Sequence, residues 1–268
     1  MKDKEKEKLE VLDQIHTTIK YPVDDDYVLA IEKFNDCPNF ILKVLEFEID
    51  DGIDGYFRSL AFASKRLQND KDFLLQAAQL LGKNSDAIVH CVKMSDNTKN
   101  KFANCKKTLM QFLKAGIYLF DHAPAEMRNN KEVALAAIKL SGSALKDASD
   151  KLRDDEDVVL AGASAKATNF KYASFRLKND KNFILKCLRS CKGAILFYVT
   201  SKILSDKDFM KQAIKENNWV IQYANDDIRS DIELNYLAYK DNINEFKYAS
   251  HSLQLKALTC LYENRDKY

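Results

Sequence analysis

Cysteine and histidine side chains are the first candidates for chemistry in this chain. Cys187 and Cys191 stand four residues apart, so on a helix both thiols would share one face and could supply two zinc ligands. No second pair of ligands is spaced to complete a tetrahedron. His90 and Cys91 are adjacent and would point about 100° apart on a helix, so they form no nucleophile and base with each other, although either could meet another residue in space. We expect no metal site and no catalytic cysteine, with Cys187 as a buried packing residue.

Two acidic runs could bind a cation, but each has a simpler explanation. Asp24 to Asp26 precedes an apolar helix, and Asp154 to Asp157 coincides with a helix start, where the helix dipole favours negative charge. The sequence contains no glycine-rich phosphate loop, no serine elbow and no Cys-x-x-Cys pair. An enzyme is therefore the least supported class, and we predict no catalytic residues and no cofactor.

Basic residues are concentrated in two segments although the net charge is only +2. Residues 93–114 hold six basic and one acidic residue, and residues 165–192 hold eight basic and one acidic residue. Such segregation creates local fields that can attract a partner. The predicted binding residues are Lys99, Lys101, Lys106, Lys107, Lys171, Arg176 and Lys178.

Tyrosines recur at one position along the chain and could form an aromatic ladder. They are Tyr172, Tyr198, Tyr223 and Tyr248, with Phe62 and His122 at the equivalent position. A ladder on the surface would suit the stacking of a peptide or of nucleic-acid bases. The interpretation that we favour is packing between successive structural repeats.

The elements that position these side chains are repeats of about 25 residues. Six copies are anchored at Ala63, Ala123, Ala148, Ala173, Val199 and Ala224, and a seventh is cut short after Ala249. The steps from Ala123 onward are 25, 25, 26, 25 and 25 residues. Repetition at a fixed period indicates a solenoid. The predicted domains are an irregular helical cap over residues 1–55, a repeat array over residues 56–258 with a stretched unit around residues 91–122, and a C-terminal tail over residues 259–268.

Each repeat has the pattern of a helical hairpin. The chain has only 7 Gly and 3 Pro, which leaves little room for strand turns. We predict a first helix with its N-cap six residues after the anchor, at Asn69, Asn129, Asp154, Asn179, Ser205 and Ser230. We predict helix ends at Gly82, Gly116, Gly142, Gly193 and Asn218. A second helix is expected to run through the anchor, as in Phe170, Ala173 and Leu177, and the fold class is an all-α solenoid.

The repeat resembles a known family. Residues 67–73 read LQNDKDF, residues 177–183 read LKNDKNF and residues 170–174 read FKYAS. These strings are similar to a repeat of bacteria, protists and giant viruses that is known only as a domain of unknown function, and the similarity covers roughly residues 59–258. The resemblance implies a helical-repeat fold. It implies no activity, no catalytic residue and no cofactor.

We favour a non-enzymatic scaffold that binds a protein, and two alternatives stay open. The first is a nucleic-acid-binding array that uses the basic middle of the chain, and the second is a secreted bacterial effector that acts on a host protein. Positions two and three after the anchor change from Lys65 and Arg66 to Asp226 and Asp227, which argues against a continuous phosphate track. No apolar run reaches the ~20 residues of a membrane span. We expect a cytoplasmic protein or one delivered into a host, and the sequence leaves its oligomeric state open.

Overall fold

The computed structural model describes residues 2–18, 25–52, 57–85, 87–92, 94–190, 194–239 and 247–255. No strand occurs among them, and they form two compact units, Met1–Leu140 (unit 1) and Ser141–Tyr268 (unit 2). The predicted all-α fold class is thereby confirmed. The predicted domain limits at residues 55 and 258 stay predictions, since both fall outside the described residues.

Unit 1 begins with three helices that precede the first clear repeat. Where the repeat is regular, each long helix packs against the long helix of the next repeat, as Lys106–Lys114 packs against Lys131–Leu140. The helices are α1 (Lys2–Thr18), α2 (Asp25–Lys33), α3 (Pro38–Asp50), α4 (Arg58–Phe62), α5 (Lys65–Gln68), α6 (Lys71–Leu81), α7 (Ala87–Cys91), α8 (Asp96–Ala103), α9 (Lys106–Lys114), α10 (Ala125–Arg128) and α11 (Lys131–Leu140). Short 3₁₀ segments lie at Gly82–Asn84 and Phe120–His122.

Unit 2 alternates one-turn helices with long ones. They are α12 (Asp150–Arg153), α13 (Glu156–Ala165), α14 (Phe175–Lys178), α15 (Lys181–Ser190), α16 (Ser201–Leu204), α17 (Lys207–Glu216), α18 (Asp226–Arg229) and α19 (Ile232–Tyr239). The 3₁₀ segments are Ala144–Lys146, Ala167–Tyr172, Ala194–Tyr198 and Asn218–Tyr223. Each long helix packs against the next, α13 on α15, α15 on α17 and α17 on α19. Stacked hairpins with the predicted period are therefore present, as in an α-solenoid.

The prediction of a continuous second helix is wrong. In the repeat anchored at Ala173, a 3₁₀ segment ends at Tyr172, Ala173 is extended (φ −57°, ψ 152°), and the one-turn helix α14 follows. The Oγ atom of Ser174 accepts a hydrogen bond from the N–H of Leu177 at 3.2 Å. A serine that caps a new helix breaks the old one, and the apolar spacing through the anchor concealed that break.

The predicted N-caps lie one residue too early. In the repeat anchored at Ala63, Oδ1 of Asp70 accepts hydrogen bonds from the N–H groups of Asp72 and Phe73, both at 2.9 Å. Asn69 instead closes the preceding one-turn helix, and its Nδ2 donates to the carbonyl of Lys65. The same shift occurs in the other repeats, where Asn130, Asp155, Asp180, Asp206 and Asp231 are the caps.

The helix ends at glycine are confirmed in part. Gly82 and Gly116 have positive φ angles of 52° and 89°. A Cβ on Gly116 would also lie 2.0 Å from Oγ of Ser85, so this position requires glycine. Helices α11 and α17 end at Leu140 and Glu216, close to Gly142 and Asn218 as predicted. Neither of these two residues is a left-handed cap, because Gly142 is outside the left-handed region and Asn218 starts a 3₁₀ segment after an extended Asn217. Gly193 lies outside the described residues.

A small residue on each long helix lets neighbouring elements approach closely. A Cβ on Gly162 would lie 3.1 Å from Cδ2 of Leu145. Cys187 and Ala213, at the same position in the next two repeats, have no exposed surface. Cys187 is therefore the buried packing residue that the sequence predicts, and Cys191 lies outside the described residues.

Candidate functional site

A hydrogen-bonded triad joins two successive repeats in unit 2. Asp154 ends the one-turn helix of one repeat, and Ser174 and Arg176 belong to the next. The Nε atom of Arg176 lies 3.0 and 3.2 Å from the two carboxylate oxygens of Asp154, and its Nη2 donates to the Asp154 carbonyl at 2.7 Å. Ser174 Oγ donates to the same carboxylate. Arg176, a predicted binding residue, therefore bonds one repeat to the next. The hydrogen bonds from Ser174 and Arg176 lower the pKa of Asp154.

The triad recurs in unit 1 with the same geometry. Arg66 Nε lies 2.9 and 3.2 Å from the carboxylate oxygens of Asp36, and Ser64 Oγ donates to that carboxylate. Other junctions use single polar bonds between the same two positions: Thr200 to Asn179 at 2.9 Å, Asn225 to Ser205 at 3.1 Å and Ser230 to Ser250 at 2.7 Å. Four of the residues that the sequence suggested as N-caps, Asp154, Asn179, Ser205 and Ser230, therefore connect their repeat to the following one.

Ser174→Ala should lower the free energy of unfolding of unit 2 by about 1 kcal/mol, because it removes a helix cap as well as a bond to Asp154. Ser201→Ala, at an exposed residue of α16 that is not a cap, is the matched control and should cost less than about 0.5 kcal/mol. Urea unfolding followed by the fluorescence of Trp219 measures both variants. Equal losses in the two variants would show that the triad contributes nothing.

Further basic residues bond to acidic residues on the next long helix. Lys106 Nζ lies 2.6 Å from a carboxylate oxygen of Glu132, and Arg189 Nη2 lies 2.7 Å from one of Glu216. Lys207 and Lys211 make equivalent pairs with Asp231 and Glu233. Exposed ion pairs of this kind stabilise weakly, but they fix the register of neighbouring helices.

The seven predicted binding residues fall into both units and differ in their surroundings. Lys99 lies 3.6 Å from Asp96, Lys106 and Arg176 are in the pairs already described, and Lys178 donates to the carbonyl of Lys171. Burial lowers the pKa of Lys178. Of these seven residues, Lys101, Lys107 and Lys171 are exposed and have no ion pair among the described residues.

The 3₁₀ segments of unit 2 pack side by side and present aromatic rings. Phe197 is 76% exposed and Trp219 is 46% exposed. The four tyrosines of the predicted ladder are half-buried, so each side chain packs against the fold and is partly accessible to solvent. We name the set Phe197, Trp219, Tyr172, Tyr198, Tyr223 and Tyr248 the aromatic surface.

Of two ring contacts within the aromatic surface, the first joins neighbouring repeats and the second lies within one repeat. The ring centroids of Trp219 and Tyr248 are 6.4 Å apart, and those of Phe197 and Tyr198 are 5.8 Å apart. Lys171 Nζ lies 4.8 Å from the ring centroid of Tyr172, and Lys247 Nζ lies 4.9 Å from that of Tyr248. Apolar rings beside cations are thereby displayed from successive repeats.

Sequence reasoning missed the two most exposed rings of this surface. Phe197 stands where other repeats have Lys171, Gln222 and Lys247, and a phenylalanine at a polar repeat position was the available signal. Phe175 is also 78% exposed, at the start of α14, whereas Phe170 and Phe183 are buried.

A buried carboxyl group in unit 1 was also missed. Glu48 is 1% exposed, and it accepts hydrogen bonds from the Tyr27 hydroxyl at 2.7 Å, the Ser59 N–H at 3.0 Å and the Ser59 hydroxyl at 2.5 Å. Nearby, the N–H of Phe57 donates to Cys91 Sγ at 3.2 Å. Burial raises the pKa of Glu48 and of the Cys91 thiol. Since both are enclosed, this cluster connects α2, α3, α4 and α7 and does not face solvent.

The described ranges contain no group of three or more His, Cys, Asp or Glu side chains that could hold a metal ion. His90 is exposed whereas Cys91 is buried, as adjacent helical residues pointing apart should be. None of the helices in the described part of the chain is both long and apolar enough to cross a membrane.

The repeats match a family described as "Domain of unknown function (DUF4116)". Its profile matches residues 105–153, 130–165, 155–204 and 206–254, which together cover more than half of the 268 residues. The chain belongs to the DUF4116 family. No curated protein and no solved structure matches it.

The DUF4116 matches explain the regular part of the chain. They contain every repeat from α10 and α11 to α18 and α19, and with them both the triad at Asp154 and the aromatic surface. The repeat anchored at Ala63 precedes the matched residues but has the same caps and the same one-turn helix. The predicted resemblance is therefore confirmed over residues 105–254.

Proposed function

We propose that this chain is a non-enzymatic scaffold that binds another protein through the aromatic surface of unit 2. The exposure of Phe197 and Trp219 carries the proposal, because large rings that the fold leaves in solvent are the side chains that dominate protein interfaces. Lys171 and Lys247 lie beside rings of this surface and would favour a partner with acidic residues around an apolar centre.

A protein partner fits this surface better than nucleic acid does. Arg176 and Arg189, two of the cations that a phosphate backbone would need, bond to Asp154 and Glu216. The rings of Tyr172 and Tyr248 are each in contact with a lysine, which leaves less of their faces for a stacked base. Lys101 and Lys107 in unit 1 stay predicted contacts for an acidic partner surface.

Changing Phe197 and Trp219 together to Gln should reduce capture of the native protein partner at least about tenfold, since interface aromatics commonly contribute 1–2 kcal/mol or more each. The matched control is Ile232→Gln with Tyr236→Gln, because these α19 side chains are 73% and 72% exposed. Capture is measured by affinity purification from the native lysate with and without nuclease, and circular dichroism checks that both variants are folded.

Two results would contradict this proposal. If the control loses capture and the aromatic variant keeps it, the contact surface is on α19 and not on the 3₁₀ segments. If capture disappears after nuclease treatment, and the purified chain binds single-stranded RNA with a steep dependence on salt, the nucleic-acid alternative is right.

A further inference from the structure

A groove of about 390 Å³ opens in unit 1 between the C-terminal ends of α9 and α11. Its lining residues are Leu113, Lys114, Gly116, Ala136, Lys139 and Leu140. The leucines and Ala136 form an apolar floor, and each helix contributes one exposed lysine. Its volume lies within the range of ligand-binding pockets. Two of the lining residues, Gly116 and Ala136, are small and leave room in the groove.

The two lysines occupy a repeat position at which one other repeat has a paired cation. Lys114 and Lys139 stand 25 residues apart, and the equivalent residue in the repeat anchored at Ala173 is Arg189. Arg189 bonds to the carboxylate of Glu216 at 2.7 Å. Neither Lys114 nor Lys139 has an ion pair among the residues that the structure describes. The bond from Lys106, at 2.6 Å, lowers the pKa of Glu132, and the charge of Lys114 also reaches this carboxylate and helps to lower that pKa. The groove therefore holds two cations of this junction, and no carboxylate in the described part of the chain is bonded to either.

The charge of the groove matches one negative group. Each helix C-terminus carries roughly half a negative charge, so the two ends offset about one of the two lysine charges. About one positive charge is left, which suits a single carboxylate better than a phosphate dianion or a polyanion. The apolar floor beside it suits an aliphatic side chain.

We propose that this groove binds the C-terminal carboxylate of a polypeptide whose last side chain is aliphatic. The carboxylate lies between Lys114 and Lys139, and the side chain packs on Leu113, Ala136 and Leu140. The groove is open on one side, so the rest of the polypeptide leaves into solvent. This inference rests on the proposed function, because it requires a protein ligand.

The probe is the peptide acetyl-Gly-Gly-Leu with a free carboxylate, titrated into the full chain labelled with ¹⁵N. We expect the amide resonances of residues 113–116 and 136–140 to shift, with a dissociation constant on the order of 1 mM. The same peptide with an amidated C-terminus, and acetyl-Gly-Gly-Ser with a free carboxylate, should each bind at least about tenfold more weakly.

Two variants of equal charge test the lysines. Lys114→Ala with Lys139→Ala should weaken binding of the peptide at least about tenfold, and Lys202→Ala with Lys215→Ala, at two exposed lysines of unit 2, should change its affinity less than about twofold. The Phe197→Gln and Trp219→Gln variant should bind the peptide normally. The peptide titration therefore tests the groove alone, and partner capture tests the aromatic surface alone. One proposal can fail while the other holds.

Three results would overturn the proposal. No shift in the groove at a peptide concentration on the order of 10 mM excludes the site. Equal binding of the amidated peptide excludes recognition of the terminal carboxylate. If N-acetyl-leucine binds as tightly as the tripeptide, the groove takes a small carboxylate and the polypeptide occupant is wrong.

Discussion

Replacing Cys187 with Asp should lower the free energy of unfolding of unit 2 by about 3–5 kcal/mol. Cys187 has no exposed surface on α15, between the neighbouring long helices α13 and α17. A carboxylate at this position would be buried without a partner charge, or would have to bind a proton in order to remain buried. The equivalent residues in other repeats are all small: Ala77, Ala137, Gly162, Ala213 and Ala238.

Trp219 makes this measurement specific for unit 2, because it is the single tryptophan of the chain. Urea unfolding followed by its fluorescence gives the stability of the variant, and Cys187→Ala is the control, with an expected loss of about 1 kcal/mol. A loss below about 1 kcal/mol in the Asp variant would show that this helix contact is not tightly packed. Stoichiometric zinc in protein purified without added metal would contradict the structural role of the thiol.

The long first helix of each repeat could be predicted from sequence, but the 3₁₀ segment and the one-turn helix that replace the predicted second helix could not. Apolar residues at helical spacing define the long helices, since one face must be buried against neighbours. The same spacing through Phe170, Ala173 and Leu177 predicted a helix that the structure breaks at Ala173. Periodicity records which side chains are buried, and it does not show where a serine side chain ends one helix and begins another.

The N-caps show a related limit of sequence reasoning. Asn69 and Asp70 are adjacent, and both are residue types that cap helices well. The choice between them depends on the junction with the next repeat, where Thr98 donates to the side chain of Asn69. The bond between Thr98 and Asn69 joins residues 29 positions apart in the chain. Residue type alone therefore does not reveal which of the two neighbours caps the helix.

Basic residues could be predicted as exposed, but their partners could not. Arg176 and Asp154 are 22 residues apart and meet only because one-turn helices of successive repeats are neighbours. Glu48 gave no signal at all, because a glutamate within a helix is normally exposed to solvent. Both cases depend on packing between elements, which becomes visible only with the fold.

Glu48→Ala should destabilise unit 1 by about 3–5 kcal/mol, because it combines a cavity with buried donors that lose their acceptor. The Tyr27 hydroxyl and the Ser59 N–H would be left without their bonds to the carboxylate. Glu48→Gln is the conservative control, since its carbonyl oxygen can still accept from both donors. We expect it to lose less, about 1–2 kcal/mol. Hydrogen exchange of amides in α2 and α4 reports on this unit, in which Trp219 does not lie.

The pH dependence of stability distinguishes a buried acid from a simple hydrogen-bond acceptor. Burial raises the pKa of Glu48, so the folded chain holds this proton more tightly than the unfolded chain does. Its contribution to stability is full below the ordinary glutamate pKa of about 4.3 and is lost as pH rises through the raised value.

Carboxyl groups in unit 1 with a lowered pKa, such as Asp36, act in the opposite sense, because their contribution is present above the ordinary pKa and is lost in acid. The useful quantity is therefore the stability of the wild type minus that of Glu48→Gln, in which the other carboxyl groups cancel. This difference should fall as pH rises from about 4.3 toward neutrality. A constant difference would mean that the hydrogen bonds from Ser59 and Tyr27 fully offset the effect of burial on the pKa of Glu48.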